Sequence, residues 1–301
     1  MYLVVGATGT LGGSIAKRLL EDGEEVRALV RESSPARSAA AHTDPDELRR
    51  AGAEVVHGDL HDLGSLRAAL RGVRVVVSTA SGTKRAPPDT TAAVDASGTA
   101  NLARAAASAG VDKLLLVSAG GAGPDAPPGV FQDKWRGEEA VRASGVPHVI
   151  LRPGRFMGDW IGFLVGAQLG GGVVELVGDG SQATAFVDEP DVAAVAAYLA
   201  RDERTGPAEV VHLAAERATF PDVVARIGRL MGAQLGVRYV PIGAEVTTVA
   251  PEVRSVVTHL LTLHAVAPAF DTVERGVADR YGVGLTGIDA FLRRALAPQP
   301  A

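Results

Sequence analysis

Gly6-Ala7-Thr8-Gly9-Thr10-Leu11-Gly12 directly follows the apolar run Tyr2-Leu3-Val4-Val5 and opens an amphipathic stretch that runs to Asp22. A strand-length β-branched run, three glycines at i, i+3 and i+6, and then helical periodicity specify a strand, a tight turn and a helix. Glycine lets the chain turn sharply and lets a ligand approach the backbone closely. The unpaired amides at the head of the following helix, with the helix dipole behind them, attract an anion. A dinucleotide pyrophosphate is the expected occupant, held by Gly6, Thr8, Gly9, Thr10, Leu11 and Gly12.

The next strand, Glu25 to Val30, ends on Arg31. An NAD-selective site places Asp or Glu near that point to accept from the ribose 2′-hydroxyl. A guanidinium instead offers a planar cationic fork to a 2′-phosphate, with Ser33, Ser34 and Arg37 close by in sequence as helpers. NADP(H) is therefore the expected cofactor, and Glu32 keeps NAD open as an alternative.

Outward from this unit, strands are expected at Ala53 to His57, Val73 to Thr79, Leu114 to Ser118 and His148 to Leu151. Helices are expected between them at Pro45 to Ala51, Asp62 to Leu70, Thr90 to Ala109 and Gln132 to Ala143. Gly23, Gly52, Gly72, Gly110 and Gly145 stand where these helices must stop. Together with the opening pair, the pattern gives six strands of an α/β, Rossmann-type doubly wound parallel sheet. Beyond Leu151 the regularity fades, with short strands at Val173 to Val177 and Val210 to Leu213 and helices to the end. We assign residues 1–154 to the dinucleotide-binding domain and 155–301 to a smaller α/β substrate lobe interleaved with it.

The 301 residues are 47% apolar and 22% charged, ordinary for a folded globular chain. With no cysteine there are no disulfides, thiolate metal sites or cysteine nucleophiles. The glycine motif begins too early for a secretory leader, and the apolar runs of the first half are strand-length, so a cytoplasmic protein is expected. The net charge of -5 disfavours nucleic acid, leaving a small molecule as the expected partner, with no membrane attachment and the oligomeric state open. Of the seven histidines, none forms an i, i+4 pair on one helix, so no metal site is expected. A Gly-x-Ser-x-Gly elbow for Ser-His-Asp hydrolysis is also missing.

In order along the chain, Gly6 to Gly12, Gly58-Asp59-Leu60, Val117-Ser118-Ala119, Lys134 with Glu138, Ser144-Gly145-Val146-Pro147 and Leu151-Arg152-Pro153-Gly154-Arg155-Phe156-Met157 follow one family pattern. On these residues the chain resembles an atypical short-chain dehydrogenase/reductase of the NmrA-like type, across residues 1 to about 230. The resemblance implies that Asp59 and Leu60 lie beside the adenine. It places Ala80, Ser81 and Gly82 beside the ribose and phosphates, and Pro153, Gly154 and Phe156 at the nicotinamide. It also implies a serine holding the substrate oxygen, here Ser118, and a lysine bridging the nicotinamide ribose, here Lys134.

One departure limits that chemistry. Reductases of the superfamily commonly use a tyrosine four residues before the lysine as proton donor, and Val130 stands there. Tyr2, Tyr198, Tyr239 and Tyr281 begin no Tyr-x-x-x-Lys pattern, and Asp95 takes the place of the usual helix asparagine. Ser118 and Lys134 are left as the catalytic candidates.

Phe156, Met157 and Trp160, with Ile161, Phe163 and Leu164, form an apolar stretch that either floors an aromatic-sized substrate pocket or packs into a core. Ala244 to Ala267 is a candidate lid. The leading expectation is an NADPH-dependent ketoreductase acting on an aromatic or polyketide-like carbonyl, as in antibiotic biosynthesis. A quinone or enone reductase and a redox sensor without turnover are the alternatives.

Overall fold

The computed structural model describes residues 1–32, 43–83, 88–163, 165–204, 208–266 and 276–297. Ser33, Ser34 and Arg37 lie outside the described residues. The chain divides into two compact units, Met1–Arg152 with Val192–Val211, and Pro153–Asp191 with His212–Ala301. Residues 192–211 thus pack with the first unit.

In the first unit the strands are β1 (Tyr2–Val5), β2 (Val26–Val30), β3 (Glu54–His57), β4 (Val75–Ser78), β5 (Lys113–Val117) and β6 (His148–Pro153). The helices between them are α1 (Thr10–Glu21), α2 (Pro45–Arg50), α3 (Leu63–Ala69), α4 (Thr99–Ala109) and α5 (Val130–Ala143). The sheet has seven strands rather than the six expected. Counting the remaining strands as β7 (Arg155–Phe156), β8 (Val173–Val177), β9 (Thr184–Val187) and β10 (Ala208–Leu213), its order is β10-β6-β5-β4-β1-β2-β3. The pairs from β3 across to β6 are parallel, with Leu3 opposite both Arg27 and Val76. The apolar run at Val210 to Leu213 joins this sheet instead of forming an isolated lobe strand. Its alternation of exposed and buried residues is that of an edge strand.

The order reverses between β1 and β4, and at such a point open α/β sheets carry ligands beyond their carboxyl ends. Helices cover both faces through buried stripes: Ile15, Ala16 and Leu19 of α1, and Leu102, Ala103 and Ala106 of α4. Leu3, Leu66, Leu114, Leu116 and Val141 belong to one shared core. Each fully buried aliphatic side chain contributes about 1.5–3 kcal/mol against exposure. Gly110 closes α4 in the left-handed conformation, φ 67°, as its place in the sequence requires.

The stretch expected as one helix from Thr90 to Ala109 is interrupted. Ala92–Gly98 winds as a wide π turn before α4 begins. Gly137 of α5 lies so close to this turn that a Cβ there would stand 2.2 Å from the Asp95 carbonyl oxygen.

The second unit carries a three-stranded sheet of β7, β9 and β11 (Glu216–Ala218) and a parallel pair of β8 with β12 (Gly236–Val240). Helix α6 (Glu189–Arg201) leads from it into the first unit. Helices α7 (Phe220–Met231), α8 (Pro251–Val266), α9 (Gly276–Arg280) and α10 (Ile288–Ala295) complete the chain. Thr219 and Asp222 form a reciprocal capping box at the start of α7.

Two sequence expectations change here. Met157 and Ile161 are buried in the core of this unit with Phe186, Phe220 and Leu261, so Met157 is a packing residue and not a substrate contact. The described part of the candidate lid also belongs to that core through Val246, Val249, Val257 and Leu261, all at most 5% exposed. The buried Glu175 carboxylate accepts from the Thr247 and Thr248 amides and from Arg238, which pins the entry to α8. Apolar periodicity served packing there, not a loose flap.

Candidate active site

The glycine turn is built for close approach. Gly6 has φ 84°, and Gly9, in extended conformation, caps α1 without any side-chain hydrogen bond. No acidic residue stands in the first turn of α1 to compete for its amides. A Cβ on Gly12 would stand 2.3 Å from the Gly6 carbonyl oxygen, so the turn tolerates no side chain there. Leu11 is buried and can offer a ligand little beyond its backbone, whereas Thr10 is exposed.

Beside this turn lies an open cleft. Gly6, Thr8, Arg31, Asp59, Leu60 and Ala80 line it, together with His61 and Asp89. The structure therefore brings together residues from the ends of β1, β2, β3 and β4. Asp59 is fixed by its own neighbours, its carboxylate accepting from the His61 amide at 2.8 Å and its amide donating to Ser65 Oγ at 3.0 Å. Asn101 Nδ2 donates to the Leu60 carbonyl at 2.9 Å. Arg31 donates to the Asp89 carboxylate, an acidic partner that β2 itself does not supply.

A second, smaller pocket is lined by Ala80, Asp95, Thr99, Leu116, Val117, Ser118 and Lys134. Ala80 borders both spaces. The two catalytic candidates thus share one cavity. Lys134 Nζ donates to Asp95 Oδ1 at 2.8 Å, while Asp95 Oδ2 accepts from the Gly82 amide at 2.8 Å and from Ser81 Oγ at 3.3 Å. Asp95 therefore ties Lys134 to the loop after β4, so that Ser81 and Gly82 are held by a side chain of the π turn.

Ser118 is differently engaged. Its hydroxyl donates to Glu138 Oε1 at 2.5 Å, and its amide donates to the Leu151 carbonyl at 2.8 Å. Glu138 is fully buried, and it also accepts from Arg152 Nε at 2.9 Å, Arg152 Nη2 at 2.5 Å and Arg142 Nη2 at 2.9 Å. Both arginines lie over the Trp135 ring, at 4.8 and 5.6 Å. With its single hydrogen committed to Glu138, Ser118 does not present the free donor expected of it; its oxygen keeps acceptor capacity.

Pro153, Gly154, Phe156 and Trp160 lie in the second unit. The Gly154 amide donates to the Leu213 carbonyl at 2.9 Å, and a Cβ on Gly154 would stand 2.6 Å from the Ala185 carbonyl oxygen. Phe156 and Trp160 are half-buried. Trp160 lies under the Arg155 guanidinium, 3.9 Å from the ring centroid, and packs near Phe220 and His264. Burial pulls Arg155 down to about 9, which leaves it charged at neutral pH. Burial, followed by the Arg155 charge, presses His264 down to about 4, so its ring is neutral there.

The description of the NmrA-like family matches the chain over residues 2–292. The chain belongs to the NmrA-like family. Among relatives of this NmrA-like protein, a (4-alkanoyl-5-oxo-2,5-dihydrofuran-3-yl)methyl phosphate reductase of Streptomyces griseus subsp. griseus is 34% identical over 252 residues. That match covers 83% of this chain and 80% of the relative. An NAD(P)H azoreductase of Xenophilus azovorans is 33% identical over 199 residues, covering 65% and 62%. Among solved structures, the Citrobacter sp. triphenylmethane reductase complexed with NADP(H) superposes with a TM-score of 0.80 at 20% identity, covering 98% of this chain and 99% of that one. An NADPH-dependent quinone oxidoreductase of Escherichia coli with NADPH gives 0.78 at 18%, covering 99% and 100%. These two share the fold.

Sequence reasoning about this NmrA-like protein missed four partners: Asp89 on Arg31, Asp95 on Lys134, and Arg142 and Arg152 on Glu138. Asp95 was visible only as a departure from the family pattern. The spacing of Glu138 and Arg142, four apart on one helix, carried a readable signal. The pairing of residues 31 and 89 carried none.

Proposed function

We propose that this chain is an NADPH-dependent reductase that delivers hydride to a conjugated carbonyl acceptor, an enone or quinone of aromatic size. One observation carries the reading: the cleft beside the glycine turn and the cavity holding Lys134 and Ser118 share Ala80 in their walls. A dinucleotide whose phosphates rest on the amides of α1 and whose adenosine lies against Asp59 and Leu60 can extend past Ala80 to Lys134. The cradle fits such a group, since the amides at the head of α1 have no side-chain cap and no acidic residue in the first turn to compete for an anion.

When bound, NADPH supplies the hydride. The Lys134 ammonium, fixed by Asp95, places a positive charge in the cavity where negative charge develops on a substrate oxygen. A saturated ketone would yield a strongly basic alkoxide that needs a proton at once. Val130 replaces the usual tyrosine donor, and Ser118 already gives its hydrogen to Glu138. The enolate or hydroquinone anion formed from a conjugated acceptor is a weaker base, and a nearby cation suffices to stabilise it. The names of the relatives, which include a dihydrofuranone phosphate reductase and an azoreductase, support electron-poor acceptors.

The test is NADPH oxidation by the purified protein with a quinone, a butenolide and an isolated aryl ketone. Turnover is expected with the conjugated acceptors, falling by about 100-fold in kcat/KM for Lys134→Ala. Preference for the isolated ketone would return the reading to a ketoreductase. Cofactor binding with no turnover on any acceptor would favour a redox sensor.

A further inference from the structure

The cleft beside the glycine turn holds a carboxylate that the usual reading of a dinucleotide site does not look for. Asp89 follows β4, far in sequence from the end of β2, yet it lines the same cleft as Gly6, Thr8, Arg31 and Asp59. One of its oxygens accepts from Arg31 Nη1, and the other lies 3.7 Å from His61 Nε2. The Arg31 and Asp89 side chains are 24% and 16% exposed, so the pair is screened less than a surface ion pair.

We propose that Asp89 is a specificity-determining residue that narrows the preference of this cleft for a phosphorylated over an unphosphorylated dinucleotide. The proposal rests on the NADPH reading above. Arg31 alone would select a 2′-phosphate, which carries about −1.5 to −2 charges at neutral pH. With Asp89 on the same guanidinium, that phosphate meets a like charge a few ångströms away and must share or displace the contact. A ribose 2′-hydroxyl meets no such repulsion and can donate to the carboxylate, the role that an acid at the end of β2 plays in NAD-selective sites. Arg31 and Asp89 thus supply both halves of the selectivity device, the second from a different loop. The chain should accept both dinucleotides, with NADPH favoured less than a lone arginine would dictate.

The experiment measures dissociation constants of NADPH and NADH by calorimetry for the wild type, Asp89→Asn, Asp89→Ser and Arg31→Ala, with circular dichroism to show that each variant is folded. Removing the carboxylate charge is expected to raise the ratio Kd(NADH)/Kd(NADPH) by about tenfold, mostly through tighter NADPH binding. Arg31→Ala should lower that ratio, and Asp89→Asn added to Arg31→Ala should raise it again, since the like charge facing the phosphate is removed in either background. If the wild type binds both dinucleotides and both Asp89 variants keep its ratio within about twofold, the assignment of Asp89 is overturned while the cofactor reading stands. If the wild type binds neither, the cofactor reading fails and the assignment of Asp89 with it.

Discussion

Glu138 carries four hydrogen bonds on one buried carboxylate, and three come from two guanidiniums. Its value lies in holding Ser118 at the end of β5 and Arg152 at the end of β6, where the site opens. Truncating one partner of such a pair strands the others without solvation. Glu138→Ala is expected to cost about 3–5 kcal/mol in urea unfolding, against about 1 kcal/mol for Ser118→Ala, which removes a single bond. Equal costs would show that the arginines find water instead. The Ser118 contact was illegible in sequence because a residue type names a donor but not its acceptor. Ser118 and Lys134 were picked out for chemistry, and both line one pocket. The hydroxyl of Ser118 nevertheless points its proton at a carboxylate twenty residues away.

Helix α5 and the π turn before α4 act as one element pair. Lys134 stands on the first, Asp95 on the second, and Gly137 sets the distance between them. Gly137→Ala would push a methyl against the Asp95 backbone, 2.2 Å from its carbonyl oxygen, so one of the two elements must shift. The expected cost is about 1–3 kcal/mol in thermal unfolding, with a fall in kcat/KM because Asp95 and Lys134 move apart. Unchanged stability and activity would mean that the turn yields freely. The π turn could not be read beforehand, because Ala92 to Ser97 has the composition of an ordinary helix and the extra residue per turn is imposed by packing. The βα units were legible because glycines mark their helix ends. In contrast β7 and β11, two and three residues long, fall below the length at which alternation can be recognised.

Across the whole molecule, the glycine turn, Arg31, Ser118 and Lys134 stand in the first unit, while the second buries aromatic and ionisable groups in its own core. His264 ties that second unit to pH. Its native value, about 4, lies below the ordinary 6.5, so the unfolded chain binds the extra proton first on acidification. The contribution is fully present above pH 6.5 and is lost as pH falls towards 4. The loss by then amounts to about 3 kcal/mol. Urea unfolding at pH 7.5, 5.5 and 4.5 should show less acid sensitivity in His264→Leu than in the wild type, and parallel losses would remove His264 as the cause. The doubly wound sheet was legible from the glycine turn and the alternating strand and helix stretches that follow it to Leu151. The strand at Val210 to Leu213 was read, but its place at the edge of that sheet was not, since it pairs with β6 from almost sixty residues away. Every functional step proposed above depends on backbone amides of the glycine turn holding a dinucleotide phosphate. Calorimetric titration of the purified protein with NADPH tests this most directly. Saturable binding with a Kd between about 1 μM and 1 mM, lost in a folded Gly12→Val variant, is the expected result. No heat with NADPH or NADH at millimolar concentration, or undiminished binding in that variant, would contradict it.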